Sequence, residues 1–234
     1  MSGEKPIIGI TPHYHPKQER FMLREDYVEA IEKSGGVPLI LPFGNTSRYL
    51  QVIDGLLVTG GGPGHVIGGE DISILTLDKQ NPKRYKFEKE LIISACKKNM
   101  PVLGICRGAQ MIAQIFGGEL FLDVKQASSN VLNHYQNKPG SVAVHDINIK
   151  KDSLLYSIIG SDKLKVNSFH RQSIKCVSDE FRICAVAVDG VVEAIEHKER
   201  FILGLQFHPE RLFQQEVFKN IFDLFLERSN HYKK

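Results

Sequence analysis

The chain has 234 residues, of which 42% are hydrophobic and 24% charged, the balance of a soluble globular protein with one sizeable core. A net charge of +3 is too small to argue for a nucleic-acid or membrane partner, and no apolar run approaches the length of a membrane span. The four cysteines, Cys96, Cys106, Cys176 and Cys184, have no paired short spacing, and Met1 to Pro6 lack the apolar stretch of a secretion signal, so free thiols in a reducing cytoplasm are expected.

In chain order, Ile7 to Thr11 (IIGIT) is a β-branched run that predicts a strand. Arg24 to Lys33 predicts a helix, with Tyr27 and Ile31 four apart, Ala30 beside them and Gly35-Gly36 as a stop. Val37 to Leu41 and Gly55 to Thr59 predict two more strands. Pro82 to Lys98 predicts a long helix whose Phe87, Leu91 and Ala95 form one apolar stripe. Val102 to Ile105 predicts a fourth strand, and Ala109 to Phe116 a helix directly after it. Short apolar strands alternating with amphipathic helices imply a mostly parallel sheet flanked by helices on both faces.

The last third changes character. Val142 to Ile149, Lys163 to Val166, Arg182 to Val188, Val191 to His197 and Phe201 to Phe207 are strand-like with little helix between them. Asp189-Gly190 between two of these runs is a hairpin signal. Additional antiparallel strands are therefore expected, at the sheet edge or in a small second sheet. Phe213 to Arg228 predicts a closing helix, with Val217, Ile221 and Leu224 on one face. No linker, repeat or low-complexity stretch divides the sequence, so a single α/β domain over 1–234 is expected.

The densest chemical signal is Gly104-Ile105-Cys106-Arg107-Gly108. It puts one cysteine on a tight strand-to-helix turn, the geometry that exposes a nucleophile at a sheet edge. The flanking glycines suit a sharp turn, both for backbone conformation and for close packing. The helix N-terminus facing the thiol favours its thiolate form. A buried structural cysteine is the competing reading, so partners are needed. The best partner is Gln206-Phe207-His208-Pro209-Glu210, at the end of another apolar run. A histidine must reach the thiol, and a carboxylate must fix its tautomer. In an extended segment residues two apart point to one side, so His208 and Glu210 can share an edge.

The segments G-I-C-R-G-x-Q and Q-F-H-P-E together resemble the class I glutamine amidotransferase superfamily. Arg107 after the cysteine, the run Val166-Asn167-Ser168-Phe169-His170-Arg171-Gln172 and the run Val192-Glu193-Ala194-Ile195-Glu196 are similar to its γ-glutamyl hydrolase branch, the peptidase C26 type. The similarity extends from Pro6 to about Phe225. The resemblance implies a flavodoxin-like, class I glutamine amidotransferase-like fold and a catalytic Cys106, His208 and Glu210. It implies hydrolysis of a small γ-glutamyl compound, such as γ-glutamyl-γ-aminobutyrate, through a γ-glutamyl thioester. Gln110 resembles the glutamine that contacts the γ-glutamyl portion, and Asn167, Ser168, Phe169 and His170 would supply further substrate contacts.

A tetrahedral oxyanion needs donors already aimed at it, and losing one costs about 3 to 4 kcal/mol in the barrier. The backbone N–H of Arg107 is one candidate. The glycine run after Thr59 offers a second, from Gly61 or Gly62. That run, Gly-Gly-Pro-Gly, departs from the Gly-Gly-x-Asp of the branch and looks more like the loop of biosynthetic glutaminase domains. The alternative reading is accordingly a glutaminase component that delivers ammonia to a synthase partner. A third is a non-catalytic binding or regulatory module on the same fold. Arg84-Tyr85 and Arg171 are further departures, and Arg171 could either pair with a substrate carboxylate or cover the sheet edge. His13-x-His15 has too few ligands to make a metal site, so no metal is assigned. The chemistry requires no cofactor. A homodimer is allowed but nothing in the sequence requires it.

Overall fold

The computed structural model describes residues 4–61, 66–67, 70–71 and 75–232. The first half contributes β1 (Ile7–Thr11), α1 (Glu25–Lys33), β2 (Val37–Ile40), α2 (Thr46–Val52), β3 (Gly55–Val58), α3 (Pro82–Lys97), β4 (Val102–Ile105) and α4 (Arg107–Ile115). The second half contributes β5 (His145–Ile149), β6 (Lys163–Val166), β7 (Phe181–Ala187), β8 (Val192–His197), β9 (Ile202–Leu205) and α5 (Glu216–Tyr232).

The strands lie in one sheet in the order β6-β5-β7-β8-β9-β4-β3-β1-β2. From β2 to β9 the neighbours are parallel, and beyond β9 they are antiparallel. The parallel half therefore has the 2-1-3-4-5 order of flavodoxin-like sheets. The expected α/β class holds, and the antiparallel strands extend the same sheet instead of forming a second one. The hairpin predicted at Asp189-Gly190 joins β7 to β8, with Gly190 at φ 89°.

The expected alternation of buried strands and amphipathic helices accounts for the two faces. On one face Tyr27, Ala30 and Ile31 of α1 and Phe218, Ile221, Phe222 and Phe225 of α5 are buried. On the other, Leu50 of α2, Phe87, Leu91, Ile92 and Ala95 of α3 and Ala109 and Ile112 of α4 are buried. Each such large side chain contributes about 1.5 to 3 kcal/mol through its removal from water. No helix among the described residues is long and apolar enough to cross a membrane.

Several boundaries differ from expectation. β5 begins at His145 instead of Val142, because the Val142 carbonyl accepts from the side chain of Gln136. α5 begins three residues late, because Pro209–Arg211 form a 3-10 turn and the chain bends again before Glu216. Two short strands escaped the sequence reading. Ser173–Cys176 pairs with β8 through Ile174 and Val192, and with Glu119–Phe121 on its other side. A hairpin of His13–His15 with Arg20–Met22 also projects after β1.

Candidate active site

β4 carries Cys106 to the C-terminal rim of the parallel strands, and α4 starts at the next residue. Cys106 adopts φ 52° and ψ −105°, a region that strains any residue with a side chain. The backbone is pinned by Cys106 N–H donating to the Leu205 carbonyl at 2.6 Å and by Gln110 N–H donating to the Cys106 carbonyl at 3.1 Å. The glycines on either side serve packing. A Cβ on Gly104 would meet Ile112 Cδ1 at 2.5 Å, and one on Gly108 would meet the Val58 carbonyl oxygen at 2.1 Å. Close approach of helix to sheet explains both glycines, while the unusual backbone angle falls on the cysteine itself.

His208 follows β9, whose last residue Leu205 lies beside Ile105. The His208 ring and the Cys106 sulfur line the same cavity and interact electrostatically, and His208 Nδ1 lies 2.7 Å from Glu210 Oε1. The pairing of His208 with Glu210 does not come from an extended segment. Pro209 starts the 3-10 turn, and this turn folds the carboxylate back under the imidazole. Burial alone would lower the His208 pKa, but the Glu210 carboxylate and the Cys106 sulfur outweigh it and push the ring up to about 10. Asn167 holds the histidine by its backbone. Its Oδ1 accepts from His208 N–H at 2.8 Å, and its Nδ2 donates to the His208 carbonyl at 2.9 Å and to the Gly140 carbonyl at 2.7 Å.

The glycine loop leaves β3 opposite the elbow. Gly60 N–H donates to the buried Tyr27 hydroxyl at 3.0 Å, so that donor is already engaged. Gly61 is exposed and lines the same cavity as Cys106 and Arg107. Gly62 lies outside the described residues. The two sides of the site share one anchor. Glu88 on α3 is fully buried; its carboxylate accepts from Arg84 Nε at 2.7 Å, from Thr11 Oγ1 at 2.9 Å and from the Arg107 guanidinium. Arg84 in turn donates to the Thr59 carbonyl at 2.9 Å, just before the glycines. Burial would raise the Glu88 pKa, but Arg107 and Arg84 hold it below its ordinary value.

A cavity of about 250 Å³ brings Cys106, Arg107, Gly61, Gln110, Phe169, His170, Arg171 and His208 together, and Tyr27, Arg24 and Arg211 also line it. Its described charged walls are arginines and histidines. Gln110 is buried and spends its Nε2 on the Gln172 carbonyl and Gln206 Oε1. Asn167 and Ser168 do not line the cavity. Both are fully buried, Asn167 on the His208 backbone and Ser168 with its hydroxyl donating to the His134 carbonyl at 3.0 Å. Phe169 packs edge-on against His208 at a ring separation of 5.8 Å, with the Arg211 guanidinium 4.3 Å from its face. His13 and His15 sit in the hairpin after β1 and form no cluster. His13 Nδ1 is 3.4 Å from Arg84, and burial with that cation depresses its pKa to about 3.

Sequence reasoning missed Tyr27, Arg84, Glu88 and the structural use of Asn167. An Arg-x-x-x-Glu spacing on a helix reads as a solvated surface pair, and only the burial of α3 against β3 and β4 reveals it as an internal anchor.

The match to other proteins extends over the same features. The peptidase C26 family model matches residues 6–210. A Lactococcus lactis protein provisionally named glutamine amidotransferase-like protein YvdE is 34% identical, over 94% of this chain and 97% of that one. Gamma-glutamyl-gamma-aminobutyrate hydrolase PuuD of Escherichia coli is 29% identical, over 88% of this chain and 85% of that one. The crystal structure of a Thermoplasma acidophilum protein, provisionally described as one component of GMP synthase, superposes with a TM-score of 0.70 at 22% identity, covering 98% of this chain and 96% of that one. At that identity the likeness bears on the fold alone. With a family match that runs from β1 to Glu210 and so spans the elbow, the glycine loop and the histidine turn, the chain belongs to the peptidase C26 family.

Proposed function

We propose that the chain hydrolyses the γ-glutamyl amide bond of a small γ-glutamyl compound, with Cys106, His208 and Glu210 as a catalytic triad. The observation that carries this reading is the strained Cys106 sharing one cavity with a histidine whose Nδ1 rests on a buried carboxylate. The family is one of hydrolases, and a relative over most of the chain is named for cleaving γ-glutamyl-γ-aminobutyrate.

In this mechanism Cys106 Sγ attacks the γ-carbonyl carbon, and its proton passes to the His208 nitrogen that does not face Glu210. A C–S bond forms, and the carbonyl oxygen becomes an oxyanion held by the Arg107 N–H and a glycine N–H of the opposite loop, Gly61 or Gly62. Collapse breaks the C–N bond as His208 gives its proton to the leaving amine. A water then attacks the thioester with His208 as base, the C–S bond breaks, and glutamate leaves. The raised His208 pKa suits it to keep the proton until the amine departs. The arginine-lined wall suits a substrate with a free carboxylate, and Gln110, Phe169 and His170 are the proposed contacts to the glutamyl portion.

The test is incubation of the purified chain alone with glutamine and with a panel of γ-glutamyl amines, dipeptides and polyglutamates, with Cys106→Ala as control. Glutamate release from γ-glutamyl amines that vanishes in the control supports the proposal. Release from glutamine only, and only with a synthase present, replaces it with the ammonia-donating reading. No release from any of them, with a Cys106 that alkylates no faster than a free peptide thiol, points to a binding module.

A further inference from the structure

Beside the cysteine cavity, four side chains from four separate segments meet inside the protein. Glu193 at the start of β8 is fully buried, and three histidines face it. Glu193 Oε1 is 3.2 Å from His134 Nδ1, 3.5 Å from His145 Nε2 and 3.5 Å from His170 Nε2. The rings are in contact, with His134 4.7 Å from both His145 and His170. Despite these separations, both Glu193 oxygens, His145 Nε2 and His170 Nε2 have no hydrogen-bond partner among the described residues. Four buried polar atoms aimed at one point and left unmatched are costly unless something else satisfies them.

The outer nitrogens explain why hydrogen bonds do not form. His134 Nε2 is 3.0 Å from Asp189 Oδ2, and His170 Nδ1 is 3.0 Å from the Gln172 carbonyl. Both partners only accept, so the outer nitrogens carry protons, and the inner nitrogen of His170 is left without a partner. His145 Nδ1 leans the same way, 3.5 Å from the Asp146 carbonyl. The Ser168 hydroxyl has spent its proton on the His134 carbonyl, so its oxygen can only accept from His134 Nδ1 at 3.2 Å, and the ion would displace that proton. At His145 and His170 an unpartnered ring nitrogen faces carboxylate lone pairs, an arrangement that a cation would satisfy.

We propose that His134, His145 and Glu193 form a structural site for one divalent d-block cation, zinc or its chemical equivalent, with His170 packed beside it. Ligand atoms of these three residues all lie within 4.8 Å of one another. With bonds of about 2.0 to 2.1 Å, ligand atoms around such a cation stand about 3.3 to 3.4 Å apart, close to the 3.2 and 3.5 Å separations of His134 and His145 from Glu193. Two imidazoles and one carboxylate favour a borderline cation over magnesium or calcium. Outer nitrogens held by a carboxylate and a carbonyl are the usual second layer around metal-bound histidine. A cleft of about 530 Å³ that reaches His134 and His170 gives the ion a route in. The ion would tie β5 to the 134 loop and to β8, beside the segment of Phe169 and Arg171 that forms the cavity wall.

The test uses the full chain with Cys106→Ala, so that the thiol beside His208 cannot compete for the ion. After chelator treatment it is titrated with Zn²⁺ by calorimetry and with Co²⁺ by absorption. The expected result is one ion per chain, a Co²⁺ spectrum without thiolate charge transfer, and a melting temperature that rises with Zn²⁺. Glu193→Gln and His145→Ala should each weaken binding about 100-fold. His145→Ala keeps the comparison informative if Glu193→Gln does not fold. Absence of one-to-one binding in Cys106→Ala overturns the proposal, as does binding that both variants leave unchanged. Neither outcome depends on whether the wild-type chain releases glutamate.

Discussion

Replacing Glu88 with Gln keeps the side chain's volume and removes only its charge, which makes it a clean probe of how the two halves of the cavity are held. Glu88 is fully buried, Arg84 is 1% exposed and Arg107 is 6% exposed, so neither guanidinium can turn to water for compensation. The new amide nitrogen would face one of the two cations with a donor where an acceptor stood. Breaking a buried ion pair by removing one partner costs about 3 to 5 kcal/mol. For a chain of this size each kcal/mol lowers the melting temperature by about 2 to 4 °C, so a fall of about 6 to 20 °C is expected. Activity should fall as well, because Arg107 and, through Arg84, Thr59 lead into the two proposed oxyanion donors. A displacement approaching 1 Å costs up to about 100-fold, and this loss should appear in kcat with little change in KM. The Glu88 pKa is depressed in the folded state, so its contribution is present above the ordinary carboxylate value of 4.5 and is lost as pH falls through its lower folded value. Calorimetric melts of wild type and Glu88→Gln should therefore differ most near neutrality and converge in acid. A variant that melts within 2 °C of wild type, by the scale of about 2 to 4 °C per kcal/mol, and keeps its kcat would refute the anchoring role.

Other consequences follow from the same geometry. With Glu210→Gln the charge that helps hold the His208 pKa at about 10 is gone, so the alkaline fall in glutamate release should move to lower pH. A pH–rate profile unchanged from wild type would detach Glu210 from the histidine. Asn167→Ala strands buried His208 and Gly140 backbone groups and should cost about 3 kcal/mol, read as a lower denaturation midpoint. Its kcat should drop more than its KM rises, since Asn167 sits behind the cavity wall; the reverse split would return it to the substrate contacts. His13, neutral in the fold down to about pH 3, opposes folding once the unfolded chain takes up its proton. Its stabilising share is present above pH 6.5 and lost as pH falls toward 3, so His13→Asn should flatten the melting-temperature profile between pH 6.5 and 5.

What the sequence disclosed was mainly local. Apolar runs such as Ile7 to Thr11 and Val102 to Ile105 are buried on both faces of a parallel sheet, and four consecutive apolar residues carry that information by themselves. The elbow was legible for the same reason, since Gly104, Cys106 and Gly108 lie within five residues. Even there the division of labour was not. The glycines serve close packing, Gly108 against Val58, while Cys106 bears the positive φ, and neither assignment can be read from the local sequence. The short strands Glu119–Phe121 and Ser173–Cys176 went unread because three or four residues carry too little alternation to stand apart from a loop.

Polar residues were harder, because their role is set by partners far away in the chain. The family resemblance implies a substrate contact at Asn167, yet a 41-residue separation brings it to His208, where it bonds the backbone N–H and carbonyl while its other N–H holds Gly140. Glu88 carries no signal of its own in the sequence, and its role appears only where Thr11, Arg84 and Arg107 close around it. The cluster at Glu193 is the extreme case. Its histidines stand at 134, 145 and 170, with none of the short spacings that mark a metal site in sequence. Their meeting depends on the antiparallel extension of the sheet. β5 is joined to β8 through β7, and the segment after β6 returns beside the 134 loop, where His170 N–H donates to the His134 carbonyl. The proposed catalytic groups sit at the end of the parallel half and this cluster at the start of the antiparallel half. They are joined where Gln206 N–H donates to the Glu193 carbonyl, two residues before His208. A change in the charge held at Glu193 therefore has a short covalent and hydrogen-bonded route to the histidine turn, through β9 and through the Phe169 wall alike.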